Sequence, residues 1–172
     1  MRELVIGGSG CGKSQYAEER ICQSGDQVRY YIATMEPFGM DGQERIARHQ
    51  RLRQGKGFRT IEQYRNIGNI QLKERGSVLL ECLGNLVANE MFAGGEAVAE
   101  KILAGLACLE EQADCLVIVS NDVARDGLRY DDFTERYIET LGWLNQALAE
   151  RYGGVTEVVA GIPLRHRWGG KG

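Results

Sequence analysis

The chain has 172 residues, a formal charge of −3 at pH 7, 43% hydrophobic and 26% charged residues, the make-up of one globular domain able to bury its own core across residues 1–172. A mildly acidic balance offers no electrostatic footprint for nucleic acid, and every apolar run is broken well short of the roughly 20 residues that a membrane helix needs. The five cysteines, Cys11, Cys22, Cys82, Cys108 and Cys115, include no C-x-x-C pair, which argues against a disulfide framework or a zinc knuckle and predicts buried thiols.

Met1 runs directly into a strand-like segment with no signal-peptide pattern, so the expected location is the cytoplasm. "ELVIGG" is a short apolar run closed by glycines and predicts a buried strand; "KSQYAEERICQ" follows, with Tyr16, Ala17 and Ile21 suited to one helical face. "QVRYYIAT" predicts a second strand. "DGQERIARHQRLRQ" predicts a basic helix, exposed because Ile46 and Leu52 are too few for a core face. "SVLLEC", "CLVIVSND" and "VTEVVAG" predict three more buried strands, each too short and too uniformly apolar for an amphipathic helix.

"GEAVAEKILAGLACLEEQ" and "DDFTERYIETLGWLNQALAERY" predict helices, the second starting at Asp131/Asp132 with Phe133, Tyr137, Leu141, Leu144 and Leu148 stepping along one side. "AGGEA" near residue 95 reads as a turn, and the polar, glycine-rich tail "LRHRWGGKG" after Pro163 is expected to be mobile. Strands alternating with helices imply an α/β domain with a mainly parallel sheet covered on both faces.

Gly7, Gly12, Lys13 and Ser14 fill the pattern G-x-x-x-x-G-K-[ST] between a predicted strand and a predicted helix. Glycines let the backbone turn successive N–H groups inward, and the helix N-terminus adds partial positive charge to hold a polyphosphate. Lys13 would reach the β- and γ-phosphates, and Ser14 would supply a hydroxyl ligand to Mg²⁺. A carboxylate is also needed near the metal, normally at the end of a neighbouring buried strand. Glu81 and Asp122 both end such strands, and Glu81 is the preferred of the two.

The basic helix sets His49 among Arg45, Arg48, Arg51 and Arg53. A histidine in a charge run is ordinarily a surface residue. Here the surrounding guanidinium groups oppose protonation of the imidazole, favouring the neutral nucleophile, and they can also clamp a triphosphate and a departing pyrophosphate. Attack of that imidazole on an α-phosphate would give a nucleotidyl-histidine phosphoramidate.

The blocks "GGSGCGKS", "YIATMEP", "RIARHQRLR", "FRTIE", "LLECLGNLVANEMF", "VSNDV", "LNQALAE" and "VVAGIPL", in that order and over essentially the whole chain, resemble the bifunctional adenosylcobinamide kinase / adenosylcobinamide-phosphate guanylyltransferases of cobalamin biosynthesis. The resemblance implies a P-loop, RecA-like three-layer α/β fold and two reactions. Adenosylcobinamide is phosphorylated with ATP or GTP, and GMP is then transferred from GTP to that phosphate through a guanylylated histidine. By position in the motif that histidine is His49; His166 matches no such block.

The resemblance further implies nucleotide contacts from Gly7, Gly8, Ser9, Gly10, Cys11, Gly12, Lys13 and Ser14, then from Thr34, Met35, Glu36, Arg53, Glu62 and Glu81, and a homotrimer. A carboxylate such as Glu62 could accept from the guanine N1–H and N2–H₂ edge, although a helix-surface glutamate is the competing reading. The chain departs from the family pattern at Asp122 and Ala124, at Phe58, and across Gly84–Asn89. Those departures leave two further readings open, a single one of the two activities or a catalytically silent GTP-binding protein.

Overall fold

The computed structural model describes residues 1–37, 43–44, 46–47, 50–51, 53–123 and 130–167. In chain order these give β1 (Arg2–Ile6), α1 (Lys13–Cys22), β2 (Arg29–Ala33), β3 (Phe58–Glu62), a 3₁₀ turn at Ile67–Asn69, β4 (Ser77–Glu81), α2 (Leu83–Phe92), α3 (Val98–Gln112), β5 (Cys115–Val119), α4 (Asp132–Arg151), β6 (Gly154–Val159) and β7 (Ile162–Arg167). The described strands make one sheet in the order β3-β2-β4-β5-β1-β6-β7, with every neighbouring pair parallel except the antiparallel β6 and β7.

Alternation along each strand divides the core in two. Leu4, Val78, Leu80, Leu116 and Ile118 face the layer of α2, α3 and α4, where Leu86, Ile102, Leu106, Leu109, Leu141, Leu144 and Leu148 complete one buried cluster. Val5, Tyr31, Leu79, Val117 and Val119 face the other way, against Ala17 and Ile21 of α1. This is the expected three-layer P-loop architecture. α1 and α2 have ten residues each, below the roughly 12–15 at which an isolated helix becomes marginal in water. Packing of the buried residues Leu83, Leu86 and Val87 therefore holds α2 in place. α4 starts at Asp131, whose carboxylate accepts from the N–H groups of Phe133 and Thr134, both at 3.0 Å.

The structure adds two elements that the sequence pattern does not announce and corrects the expectation for the tail. "FRTIE" forms β3, an edge strand with no fully buried residue, so it lacks the apolar run that marks the interior strands. "LGNLVANEMF" forms α2 without a polar N-cap bond, the signal that would have announced it. Of the tail expected to be mobile, the part up to Arg167 is ordered in β7, and residues 168–172 lie outside the described residues. Ala160 and Gly161, at φ 49° and 82°, make the two-residue left-handed turn that suits a hairpin; Pro163 is tolerated because β7 is an edge strand.

Cys82 and Cys115 are buried, but Cys108 is exposed, because it lies off the buried Ile102, Gly105, Leu106 and Leu109 stripe of α3. Gln43, Glu44, Ile46, Ala47, Gln50 and Arg51 of the basic stretch are helical; Ile46 is partly buried and Gln43, Glu44, Ala47, Gln50 and Arg51 face solvent, whereas Arg53 is buried. Its guanidinium lies 3.5 Å above the centre of the Tyr31 ring, where cation–π attraction offsets part of its desolvation.

Candidate active site

The loop between β1 and α1 opens at the carboxyl edge of the sheet. Close packing requires glycine at its start: a Cβ on Gly7 would meet the Val158 carbonyl oxygen at 2.6 Å and Cys11 Sγ at 2.7 Å. Gly10 and Gly12 hold φ of 69° and 94°, a left-handed backbone that side chains disfavour. Gly12 caps α1 with no side-chain bond to the helix, so the first-turn N–H groups are available to an anion. Lys13 Nζ donates to the Gly8 carbonyl at 2.8 Å, folding its ammonium over the loop. The β6–β7 turn braces the loop from outside, with the Gly161 N–H bonded to the Cys11 carbonyl at 2.8 Å.

Ser14 Oγ donates to Glu81 Oε1 at 2.5 Å, while Glu81 Oε2 is buried without a hydrogen-bond partner. Burial drives the Glu81 carboxyl up to about 7, against the opposing pull of the Ser14 bond and the Lys13 charge. An orphaned hard oxygen beside a hydroxyl is a donor set that fits Mg²⁺, which takes oxygen ligands and keeps much of its water. Asp122 meets the loop through its backbone, its N–H donating to the Gly7 carbonyl at 3.1 Å. Cys82, next to Glu81, is a buried thiol pushed up to about 11 by desolvation, which keeps it protonated and inert.

Strand register then builds a cleft. Tyr31 pairs with Thr60, and Ala33 pairs with both Glu62 and Glu81, so these residues share the face of the sheet that carries α1. Together with Met35, Ile46, Gln50, Arg53 and Tyr64 they line an open cleft. Burial, with the Glu81 charge adding, holds the Tyr31 phenol far above its ordinary range. Glu62 stands exposed at the mouth on a strand rather than a helix, and Tyr64 Oη donates to it at 3.0 Å. Behind the cleft, Thr34 Oγ1 accepts from the Cys82 N–H at 2.8 Å and lies 2.9 Å and 2.8 Å from the Glu81 and Cys82 carbonyl oxygens. Asn89 ties the two rims together, donating to the Thr34 carbonyl at 2.8 Å and the Tyr64 carbonyl at 3.0 Å.

Of the residues singled out from sequence, Met35, Arg53, Glu62 and Glu81 meet around this cleft, and Lys13 and Ser14 adjoin it through Glu81. Gly8, Ser9 and Gly10 are exposed along the loop. Glu36 turns to the rim, 3.9 Å from Arg65. His49, Arg45 and Arg48 lie outside the described residues, as does the altered segment from Ala124. Sequence reasoning missed Tyr31, Thr60 and Tyr64; the parallel pairing of β2 with β3 brings Tyr31 and Thr60 together, and Tyr64 follows the end of β3.

Residues 3–166 match the family described as cobinamide kinase / cobinamide phosphate guanyltransferase. The chain is 33% identical over 168 residues to the bifunctional adenosylcobalamin biosynthesis protein CobP of Pseudomonas aeruginosa, covering 95% of this chain and 96% of that protein. It is 30% identical over 183 residues to the bifunctional adenosylcobalamin biosynthesis protein CobU of Salmonella typhimurium, covering 96% and 99%. Among solved structures, flagellar accessory protein FlaH of Methanocaldococcus jannaschii superposes with a TM-score of 0.50 at 9% identity, over 98% of this chain and 78% of that one, a likeness of fold alone. The resemblance read from the sequence blocks is thus borne out: the chain belongs to the cobinamide kinase / cobinamide phosphate guanyltransferase family of transferases.

Proposed function

We propose that this chain catalyses both reactions named for its family, on adenosylcobinamide, with His49 as the residue that carries GMP. The observation that supports this reading best is the Ser14–Glu81 pair beside the phosphate loop, with an unpartnered carboxylate oxygen next to a cleft that reaches Arg53 and Glu62. A nucleotide with its phosphates on the loop would have its sugar and base directed toward that cleft. Glu62 at the mouth is free in its acceptor capacity to bond the guanine edge as well as Tyr64.

Ser14 and Glu81 would hold Mg²⁺, which when bound neutralises charge on the β- and γ-phosphate oxygens. In the kinase reaction the aminopropanol hydroxyl oxygen attacks the γ-phosphorus of ATP or GTP, the bond to the bridging oxygen breaks, the nucleoside diphosphate leaves and the hydroxyl proton is released. Lys13 would stabilise the charge that builds on the phosphates. In the second reaction a neutral His49 nitrogen attacks the α-phosphorus of GTP and pyrophosphate leaves. A phosphate oxygen of adenosylcobinamide phosphate then displaces the histidine, breaking the P–N bond and giving adenosylcobinamide-GDP. In this reading the working form is a homotrimer, as the resemblance of the sequence blocks implies, acting in the cytoplasm. Among the described residues no helix is long and apolar enough to cross a membrane.

The test is product analysis with adenosylcobinamide, GTP and Mg²⁺. Wild-type protein is expected to form adenosylcobinamide-GDP, and His49→Ala to stop at adenosylcobinamide phosphate. Absence of either product from the wild type would leave a single activity or a silent nucleotide binder.

A further inference from the structure

Two phenylalanines at the carboxyl edge of the sheet have no part in the proposed chemistry. Phe92, the last residue of α2, is 75% exposed, and its ring stacks on Phe133 of α4 with centroids 4.6 Å apart and planes 26° from parallel. Phe133 is half-buried, so the pair presents to water mainly the Phe92 ring, backed by a second aromatic ring, at the loss of the stabilisation that burying Phe92 would give.

The position of the pair follows from contacts made one or two turns away. At Gly84, the space that a Cβ would take is filled by Tyr137 Oη and Asn121 Nδ2, 2.8 Å and 2.9 Å away, and Asn121 follows the carboxyl end of β5. Asn89 bonds the Thr34 and Tyr64 carbonyls, which follow the carboxyl ends of β2 and β3. α2 therefore lies along the same edge of the sheet at which the phosphate loop opens. Phe92 is one turn beyond Asn89 and Phe133 one turn before Tyr137, so the aromatic pair stays at that edge. Helix rise puts Phe92 about 14 Å from Leu83, the residue after the Glu81–Cys82 step.

We propose that the Phe92–Phe133 pair is the platform on which the corrin ring rests while its aminopropanol arm reaches the phosphate loop, an assignment that rests on the function proposed above. The family acts on cobinamide, a broad, flat macrocycle with methyl-bearing faces whose reacting hydroxyl sits at the end of one flexible arm. A substrate of that shape needs an apolar surface well removed from the transferred phosphate. The nucleotide cleft lies on the α1 face of the sheet, whereas α2 and α4 belong to the opposite layer. Donor and acceptor would then approach the loop from different sides, without competing for one pocket.

The experiment measures binding of dicyanocobinamide, a strongly coloured corrinoid, to the intact enzyme by equilibrium dialysis, for wild type, Phe92→Ser, Phe133→Ser and Phe92→Tyr. Loss of a ring that the ligand covers should raise Kd by about tenfold for either Ser variant, with Phe92→Tyr close to wild type and the KM for GTP essentially unchanged. Ser variants that bind cobinamide as tightly as wild type would overturn the platform. So would a changed subunit count with unchanged corrinoid affinity, which would make the pair a contact with a second copy of the chain. Failure of the wild type itself to bind cobinamide would instead bring down the functional reading on which the platform rests.

Discussion

Glu81→Gln separates the cost of the site from its use. Burial, opposed by the Ser14 hydroxyl and the Lys13 ammonium, moves the Glu81 carboxyl from 4.5 to about 7. At about 1.4 kcal/mol per pH unit, that displacement disfavours the charged form by about 3 kcal/mol. Because the folded value lies above the unfolded one, the full stability is present below about pH 4.5 and is lost as pH rises through about 7. A glutamine carries no charge, so the variant in chelator and without nucleotide should melt higher than wild type at pH 8. For a chain of this size 3 kcal/mol corresponds to roughly 6–12 °C, and the gap should close as the pH approaches 5. Addition of Mg²⁺ and GTP should reverse the order, raising the wild-type melting temperature well above that of the variant. Differential scanning fluorimetry across pH, with and without Mg²⁺–GTP, reads both effects. A Gln variant that melts lower than wild type at pH 8 in chelator, or a gap that does not depend on pH, would refute the reasoning.

Three further perturbations bear on the frame around the site. Asn89→Leu removes both bonds that hold the Thr34 and Tyr64 carbonyls, and should cost about 2 kcal/mol in urea denaturation while raising the KM for GTP more than it lowers kcat. Gly161→Val forces a branched side chain into φ 82° at the turn that braces Cys11; it should destabilise the fold by about 1–2 kcal/mol and weaken nucleotide binding, read by calorimetry. Asp131→Ala deletes the cap of α4 and should cost about 1 kcal/mol with no change in the KM for GTP.

The phosphate loop and the interior strands were legible because each rests on local pattern. Glycine spacing, the strand and helix around it, and uniform apolar runs such as "SVLLE" are properties of adjacent residues. What escaped reading depends on neighbours distant in the chain. β3 is a strand because β2 offers it a parallel edge, and its own residues include neither a buried run nor a regular alternation. β7 exists because Ala160 and Gly161 adopt the left-handed turn that its flanking strands require, against the signal of Pro163 and the glycines beyond. In the same way Glu81 could be placed near the metal from its position at a strand end, but the stacking of Arg53 on Tyr31 could not be foreseen. A basic helix reads as a solvated face until the aromatic partner one strand away is known.

The measurement that bears most directly on the central claim is intact-protein mass spectrometry after incubation with Mg²⁺ and GTP, for wild type and His49→Ala, before and after brief acid treatment. The account predicts a mass gain of one GMP on the wild type, lost in acid as a phosphoramidate is, and absent from the variant. A wild-type chain that binds GTP but gains no mass, or a His49→Ala chain that gains as much, would contradict it.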